Sequence, residues 1–227
     1  MRKTLLLFSA ALLFSGAAMA QTNGLQIGVK AGVNDVGWLG KDSEGDRWKN
    51  RQGPHGGIFL SIPVTPKTFS FQPELLYSMK GAKHSANLTA GNADEDVVVT
   101  QHHIDVPLMA VVRARFLVFE LGVVPSVLLA TSTKIDTETD NAQMYKQEVE
   151  KLTDEFNRFG FGVAGGIGIM LENGFTVGLR YNADLNRLVS KDVNPQPNYH
   201  NAWGQLSIGW LFGGRPGAEL STMGSNN

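Results

Sequence analysis

Histidine, serine and carboxylate side chains have the widest chemical reach in this sequence, and their spacing decides what chemistry they support. His55, His84, His102, His103 and His200 show neither the spacing of a zincin nor that of a zinc finger, so exposed loop positions account for them better than metal ligation does. Four of them (His84, His102, His103 and His200) could join Ser85 or Ser190 in a Ser-His-acid hydrolase, but no motif ties them into one constellation, and such sites are defined by geometry. Asp94-Glu95-Asp96 lacks the spacing and the glycine of an EF-hand, which leaves a solvated acidic loop. Gly160-Phe161-Gly162-Val163-Ala164-Gly165 spells a dinucleotide fingerprint, but it lies inside an alternating segment and opens no helix. The expectation is a non-enzyme with no catalytic residues, no metal and no cofactor.

A different set of polar residues follows a rule. Lys30, Glu74, Lys80, Asp105, Arg113, Glu120, Arg180 and Asp184 each occupy the polar side of a segment whose other side is apolar. Four are cations and four are anions. If that side is enclosed, the charges must be paired or wet. An interior ion-pair network is expected, with Lys30, Glu74, Asp105, Glu120 and Arg180 at its centre.

The elements that position these residues read as strands. Residues 26–33, 56–63, 69–80, 102–113, 117–129, 159–171, 175–184 and 203–212 alternate with period two, the pattern of a half-buried strand. In 175–184, for example, Phe175, Val177, Leu179 and Tyr181 oppose Thr176, Gly178, Arg180, Asn182 and Asp184. The connections alternate as well. Short ones at 64–68, around Ala114 and at Glu172-Asn173-Gly174 are interleaved with long polar ones at 34–54, 81–97, 131–158 and 185–201. Short turns at one end and long loops at the other, on an even number of strands, describe an outer-membrane barrel.

Which solvent meets which side follows from composition. The apolar side carries branched aliphatics, with Phe69, Phe71, Tyr77, Phe119, Phe161, Phe175, Tyr181, Trp210 and Phe212 near strand ends, as a lipid-facing band with aromatic girdles does. The other side carries the eight charges and many of the 26 glycines, which suits a lumen only wide enough for side chains. Leu76, Met109, Val111 and Val124 break this polar pattern and are expected to form a small apolar plug. Pro73, Pro107 and Pro125 fall within strands, where proline cannot donate to the ladder, so bulges or irregular pairing are expected there.

Composition sets the outer limits. The 227 residues contain no cysteine, which excludes disulfides, thiolate metal sites and cysteine nucleophiles. Arg2, Lys3, an apolar stretch and Ala18-Met19-Ala20 make residues 1–20 a secretory signal peptide, cleaved near Ala20. Its removal leaves 18 basic against 21 acidic residues, a balance that gives no reason to expect nucleic acid. A mean hydropathy of -0.10 is compatible with a membrane barrel, whose strands are only half apolar.

Between 140 and 158 the period changes. Tyr145, Val149, Leu152 and Phe156 are spaced i, i+4, i+7, i+11, one face of a helix, either a lid over the barrel mouth or a partner-docking stripe.

The run Gln72-Pro73-Glu74-Leu75-Leu76-Tyr77-Ser78, followed by Lys80-Gly81, resembles a segment of the PorT-like outer-membrane β-barrel proteins of Bacteroidetes. His103-Ile104-Asp105-Val106-Pro107-Leu108 resembles another strand of that family, with Asp105 in place of Glu, and Gly178-Leu179-Arg180-Tyr181-Asn182 a third. Leu121-Gly122-Val123-Val124-Pro125 is similar to a fourth segment, with altered spacing. The resemblance spans residues 25–212. It implies an outer-membrane barrel without transferable catalytic or ligand residues, and one namesake member takes part in protein secretion.

The expected architecture is therefore all-β, an eight-stranded antiparallel up-and-down transmembrane β-barrel with a short helix in the third external loop. Residues 1–20 are the signal peptide, 21–212 the barrel domain and 213–227 a flexible tail. Expected partners are outer-membrane lipid and an envelope or secretion-system protein, with the barrel itself a monomer. The role is structural or interaction-based, through external loops over a plugged interior. Alternatives are a channel for small solutes or hydrophobic compounds and an exported soluble ligand-binding barrel.

Overall fold

The computed structural model describes residues 24–39, 48–65, 68–87, 94–135, 147, 150, 151, 153–189 and 200–213. Their strands are β1 (Gln26–Leu39), β2 (Trp48–Thr65), β3 (Phe69–Asn87), β4 (Asp94–Asp105), β5 (Leu108–Ala114), β6 (Leu117–Ile135), β7 (Phe159–Met170), β8 (Phe175–Asp184) and β9 (His200–Leu211). Every pairing is antiparallel, each strand pairs with its sequence neighbour except that β4 and β5 both pair with β3 and β6, and β1 pairs with β9, so the sheet closes into a ring. Closure removes the free edges that a nine-stranded sheet would otherwise expose.

The alternation sorts the two sides as period two demands. Glu74 and Arg180 are 3% exposed, whereas their neighbours Leu75 and Leu179 are 49% and 56% exposed. Exposed apolar side chains continue around the outer wall through Val29, Val33, Leu121, Val163, Ile167, Leu206 and Ile208. Phe71, Tyr77, Phe119, Phe161, Tyr181, Trp210 and Phe212 project from the same wall. A protein in water does not leave so continuous an apolar girdle uncovered.

The expected count of eight strands is corrected to nine. The segment read as one strand over 102–113 is two, β4 and β5, separated at Val106-Pro107. Both lie between β3 and β6 and so share one place in the wall. Their inward positions keep the same parity across the gap, with Gln101, His103 and Asp105 followed by Met109, Val111 and Arg113, all buried. The cause is chemical: Pro107 has no N–H, so Glu74 N donates to Pro107 O at 2.8 Å but receives no reciprocal bond.

Neither neighbouring proline sits at a register shift. Pro73 is the last β3 residue paired with β5, and Pro125 keeps regular register with Phe161 of β7 while its carbonyl accepts from Val106 N at 2.8 Å. The three prolines lie on adjacent staves, so their missing donors fall in one stretch of wall. The register shifts occur elsewhere, at Asn50/His55, Pro63/Thr65 and His102/His103.

One further expectation changes. Much of the sequence read as long connections is strand: β2, β3 and β6 run for 18, 19 and 19 residues, against the roughly 9–11 that span a bilayer. Toward the long-connection end, β1, β2 and β6 carry exposed polar residues, Asp35, Asn50, Gln52, Ser132 and Lys134, and there lack the apolar side that marks a strand in sequence. In the segment read as a helix, the described residues Gln147, Glu150, Lys151, Thr153 and Asp154 are helical, and Thr153 Oγ1 donates to Glu150 O at 2.8 Å. Tyr145, Val149 and Leu152 lie outside the described residues, and Phe156 sits in an isolated bridge with Val189. The signal peptide lies outside the described residues, as does the tail apart from Gly213.

Candidate functional site: the barrel interior and its lid

The lumen is filled in layers, and the sequence-expected charges fall into separate groups within it. The densest group centres on Arg180 of β8. Its guanidinium crosses the lumen to Glu74 of β3, with Nη1 to Oε2 at 3.0 Å and Nη2 to Oε1 at 2.9 Å. It also binds Glu120 of β6, with Nε to Oε1 at 2.6 Å and Nη2 to Oε2 at 2.8 Å. Lys30 Nζ reaches Glu74 Oε1 at 2.7 Å, and Gln72 Nε2 donates to the same oxygen at 2.7 Å. Two cations and two anions thus neutralise one another. Two-pronged guanidinium–carboxylate contacts are the strongest and most directional form of such pairing.

A glycine makes this geometry available. Glu120, Gly166 and Arg180 are aligned across β6, β7 and β8, and the ion pair passes over the middle strand. A Cβ at Gly166 would collide with Glu120 Oε1, at 2.6 Å. Gly28 serves the same purpose for Phe59, whose ring occupies the space a side chain there would need.

The other expected residues are not part of that cluster. Lys80 pairs with Asp105 at 2.9 Å, and its ammonium lies 3.7 Å from the centroid of the Trp203 ring. Arg113 donates to Ser61 Oγ at 3.0 Å, and Asp184 accepts from Asn201 Nδ2 at 3.2 Å. The eight expected residues are thus spread through the lumen, as a four-charge cluster, the Lys80–Asp105 pair, and Arg113 and Asp184 hydrogen-bonded to Ser61 and Asn201. Strand register distributes them this way, because alternation fixes the side a residue faces but not its height in the barrel.

Apolar layers separate and close these groups. Phe59, Met170 and Leu211 pack together at the short-turn end, with Val118 against them. Val36, Met109, Val111, Val124, Ala164 and Trp203 form a second cluster, which takes in three of the four expected plug residues, while Leu76 is buried outside it. Beside the ion cluster lies a cavity of about 50 Å³, lined by Lys30, Gln72, Glu120, Arg180 and Ser207 among others. That space admits a few water molecules at most.

At the long-connection end, described residues of the connections pack against the strands. Phe156, Leu188 and Val189 pack with Trp38, Ala82, Val97, Val99 and Leu128, and the Phe156 and Trp38 rings meet edge to face at 5.8 Å. Asn157 fastens the two connections together, with N donating to Leu188 O at 2.8 Å and Nδ2 to Arg187 O at 2.8 Å. Of the four residues read as an apolar helical stripe, the described one, Phe156, points into the barrel mouth.

The histidines divide in a way the sequence reading missed. His55 and His103 are buried inside the barrel, not exposed in loops, while His102 is on the outer wall with its Nδ1 2.6 Å from Tyr77 Oη. His84 and Ser85 have no described side chains, nor do Asp94, Glu95 and Asp96, and Ser190 lies outside the described residues. The parity of His103 with Asp105 was the available signal for its burial.

His55 Nε2 is 2.9 Å from Ser207 Oγ, a contact of the kind that precedes nucleophilic catalysis. His55 Nδ1, however, has no hydrogen-bond partner among the described residues, and the nearby Glu74 carboxylate is bound by Arg180 and Lys30. Among the described residues no free carboxylate orients the imidazole, as the acid of a Ser-His-acid triad would. Among the described residues no group of three or more His, Asp or Glu side chains is placed to hold a metal ion.

A ring-closed antiparallel sheet with an apolar outer wall and paired charges within defines an outer-membrane-type β-barrel. The chain belongs to the outer membrane protein beta-barrel domain family, whose model matches residues 19–190. The protein is accordingly an outer-membrane β-barrel. Similar solved structures include Ail, the attachment invasion locus protein of Yersinia pestis, at 8% identity and a TM-score of 0.41, covering 82% of this chain and 98% of that one. Neisserial surface protein A is similar at 10% identity and 0.34, covering 82% and 96%, and the outer membrane enzyme PagL at 13% and 0.35, covering 81% and 98%. No curated protein matches the chain.

Proposed function

We propose that the protein is a closed outer-membrane barrel that acts through its external connections, presenting a surface or contacting another envelope protein, and that passes no solute through its lumen. The observation that carries this reading is Arg180, which spans the lumen between Glu74 and Glu120. Apolar clusters toward both ends of the lumen support it. The reading includes export by a signal peptide cleaved near Ala20, a monomeric barrel surrounded by lipid, and a place among the PorT-like barrels of Bacteroidetes. Its partner would then be an envelope or secretion-system protein.

The connection at 140–158 is the segment to test, since its end packs Phe156 against Trp38 of the barrel and bonds Asn157 to the connection that follows β8. Photocrosslinking from this connection in intact envelopes is expected to give one discrete adduct with another envelope protein. The purified protein in planar bilayers is expected to show no single-channel steps. Regular conductance steps without a crosslinked adduct would overturn the reading in favour of a solute channel.

A further inference from the structure

Above the Arg180 cluster lies a second polar compartment whose groups are not satisfied by one another. On β3 the inward positions Ser78 and Lys80 follow Leu76 and precede Ala82. On β4 Gln101, His103 and Asp105 follow Val97 and Val99. Ser126 of β6, directly across from Asp105, lies between Val124 and Leu128. Asp184 and Asn201 approach from β8 and β9, and Ser126 Oγ and an Asp184 carboxylate oxygen both lie against Gly160. Five staves therefore converge on the Lys80–Asp105 pair. The compartment is closed on the external side by the cluster of Trp38, Phe156 and Val189, and on the other by Leu76, Val124 and Trp203.

Within it Gln101 is fully buried, and neither its Oε1 nor its Nε2 has a hydrogen-bond partner among the described residues. Both ring nitrogens of His103 are in the same state, as are Ser78 Oγ, Ser126 Oγ, Asp184 Oδ1, Asn201 Oδ1 and Trp203 Nε1. Each such group left dry costs the desolvation of a buried donor or acceptor, and native proteins contain only a few of them. Others lie apart, at Asn34, His55, Ser70 and Thr133, but the largest group of them faces this compartment. The set mixes donors with acceptors, and it surrounds an ammonium as well as two carboxylates. The ammonium argues against a metal cation and the carboxylates against an anion. A molecule that both donates and accepts, is uncharged, and is small enough to sit between packed staves answers the whole set.

We infer that this compartment is a binding site for a cluster of ordered water molecules, sealed from bulk solvent by the lid that Phe156, Leu188 and Val189 form over the barrel mouth. Each water would make two to four hydrogen bonds, linking Gln101 and His103 of β4 to Ser78, Ser126, Asp184 and Asn201 and so tying the staves together across the lumen. The polar side chains of the compartment are then structural ligands, which is why apolar residues do not fill it.

The test is Gln101→Leu, which keeps the volume and removes both polar atoms. If waters bridge Gln101, the variant loses those bonds, and reversible unfolding in liposomes is expected to show the unfolded-to-folded ratio raised about fivefold or more. If the compartment is dry, the same change relieves an unpaired amide and the ratio falls, which overturns the inference. A second measurement serves if the variant does not fold. Proton-detected solid-state NMR of the unmodified barrel in bilayers is expected to show magnetisation passing from water to the Gln101 amide and the His103 ring within milliseconds, and much more slowly to the Val111 methyls. Equal slowness at all three sites would contradict it.

Discussion

Arg180→Met is expected to destabilise the barrel by about 3–5 kcal/mol, the cost of removing one partner from a buried ion pair. The substitution leaves the aliphatic stem but strips two hydrogen bonds from each of Glu74 and Glu120. Lys30 can neutralise only one of those two carboxylates, so a net negative charge remains enclosed. The double variant Arg180→Met, Glu120→Gln keeps the neutral Lys30–Glu74 pair and is expected to recover at least half of the loss. Denaturant unfolding in liposomes measures both. If the single variant costs no more than a surface substitution, the Arg180 cluster is solvated and the lumen is open. If the double variant is worse than the single one, the enclosed charge is not the cause.

Leu121→Arg is expected to be nearly as damaging, at about 2–4 kcal/mol, because it sets a guanidinium against hydrocarbon near the middle of the apolar band. Leu121 is 69% exposed and lies on β6 two positions from Phe119, with Phe161 opposite Pro125 marking the other girdle. The matching change Ser132→Arg, further along the same strand and also outward, falls on a polar extension and is expected to stay within about 0.5 kcal/mol. In a protein surrounded by water both substitutions would be harmless. The difference between them therefore reports the solvent of the wall.

The side each residue faces was legible in the sequence because both solvents leave a period-two mark: hydrocarbon selects Leu75 and Leu179, and the enclosed lumen selects Glu74 and Arg180. Where one side loses that selection, the mark fades. The extensions of β1, β2 and β6 carry Asp35, Asn50, Gln52, Ser132 and Lys134 outward and so read as polar loop. The break between β4 and β5 was foreshadowed by Pro107, but parity is kept across it, and alternation alone does not separate one interrupted strand from one continuous strand.

The site was less legible than the fold. Charged residues signal enclosure by their cost, which is why Lys30, Glu74, Glu120 and Arg180 could be named before their register was known. Neutral polar residues such as Gln72, Gln101, Ser78 and Ser126 are ordinary on any surface and carry no such signal. His103 shares a side with Asp105, yet a histidine next to another histidine in a polar stretch reads equally well as loop. Phe156 has helical spacing from Tyr145, but its placement is set by the pocket formed by Trp38, Leu188 and Val189, whose residues are distant in sequence.

Tryptophan quenching by brominated lipids is the direct measurement of which solvent touches which side. Trp210 projects from the outer wall, whereas Trp203 is 2% exposed and faces the lumen beneath Lys80. In variants that retain a single tryptophan, reconstituted into bilayers with bromines in the acyl chains, Trp210 fluorescence is expected to be strongly quenched and that of Trp203 hardly changed. Quenching of Trp203 with Trp210 unaffected would place the charged side against the membrane and contradict the account.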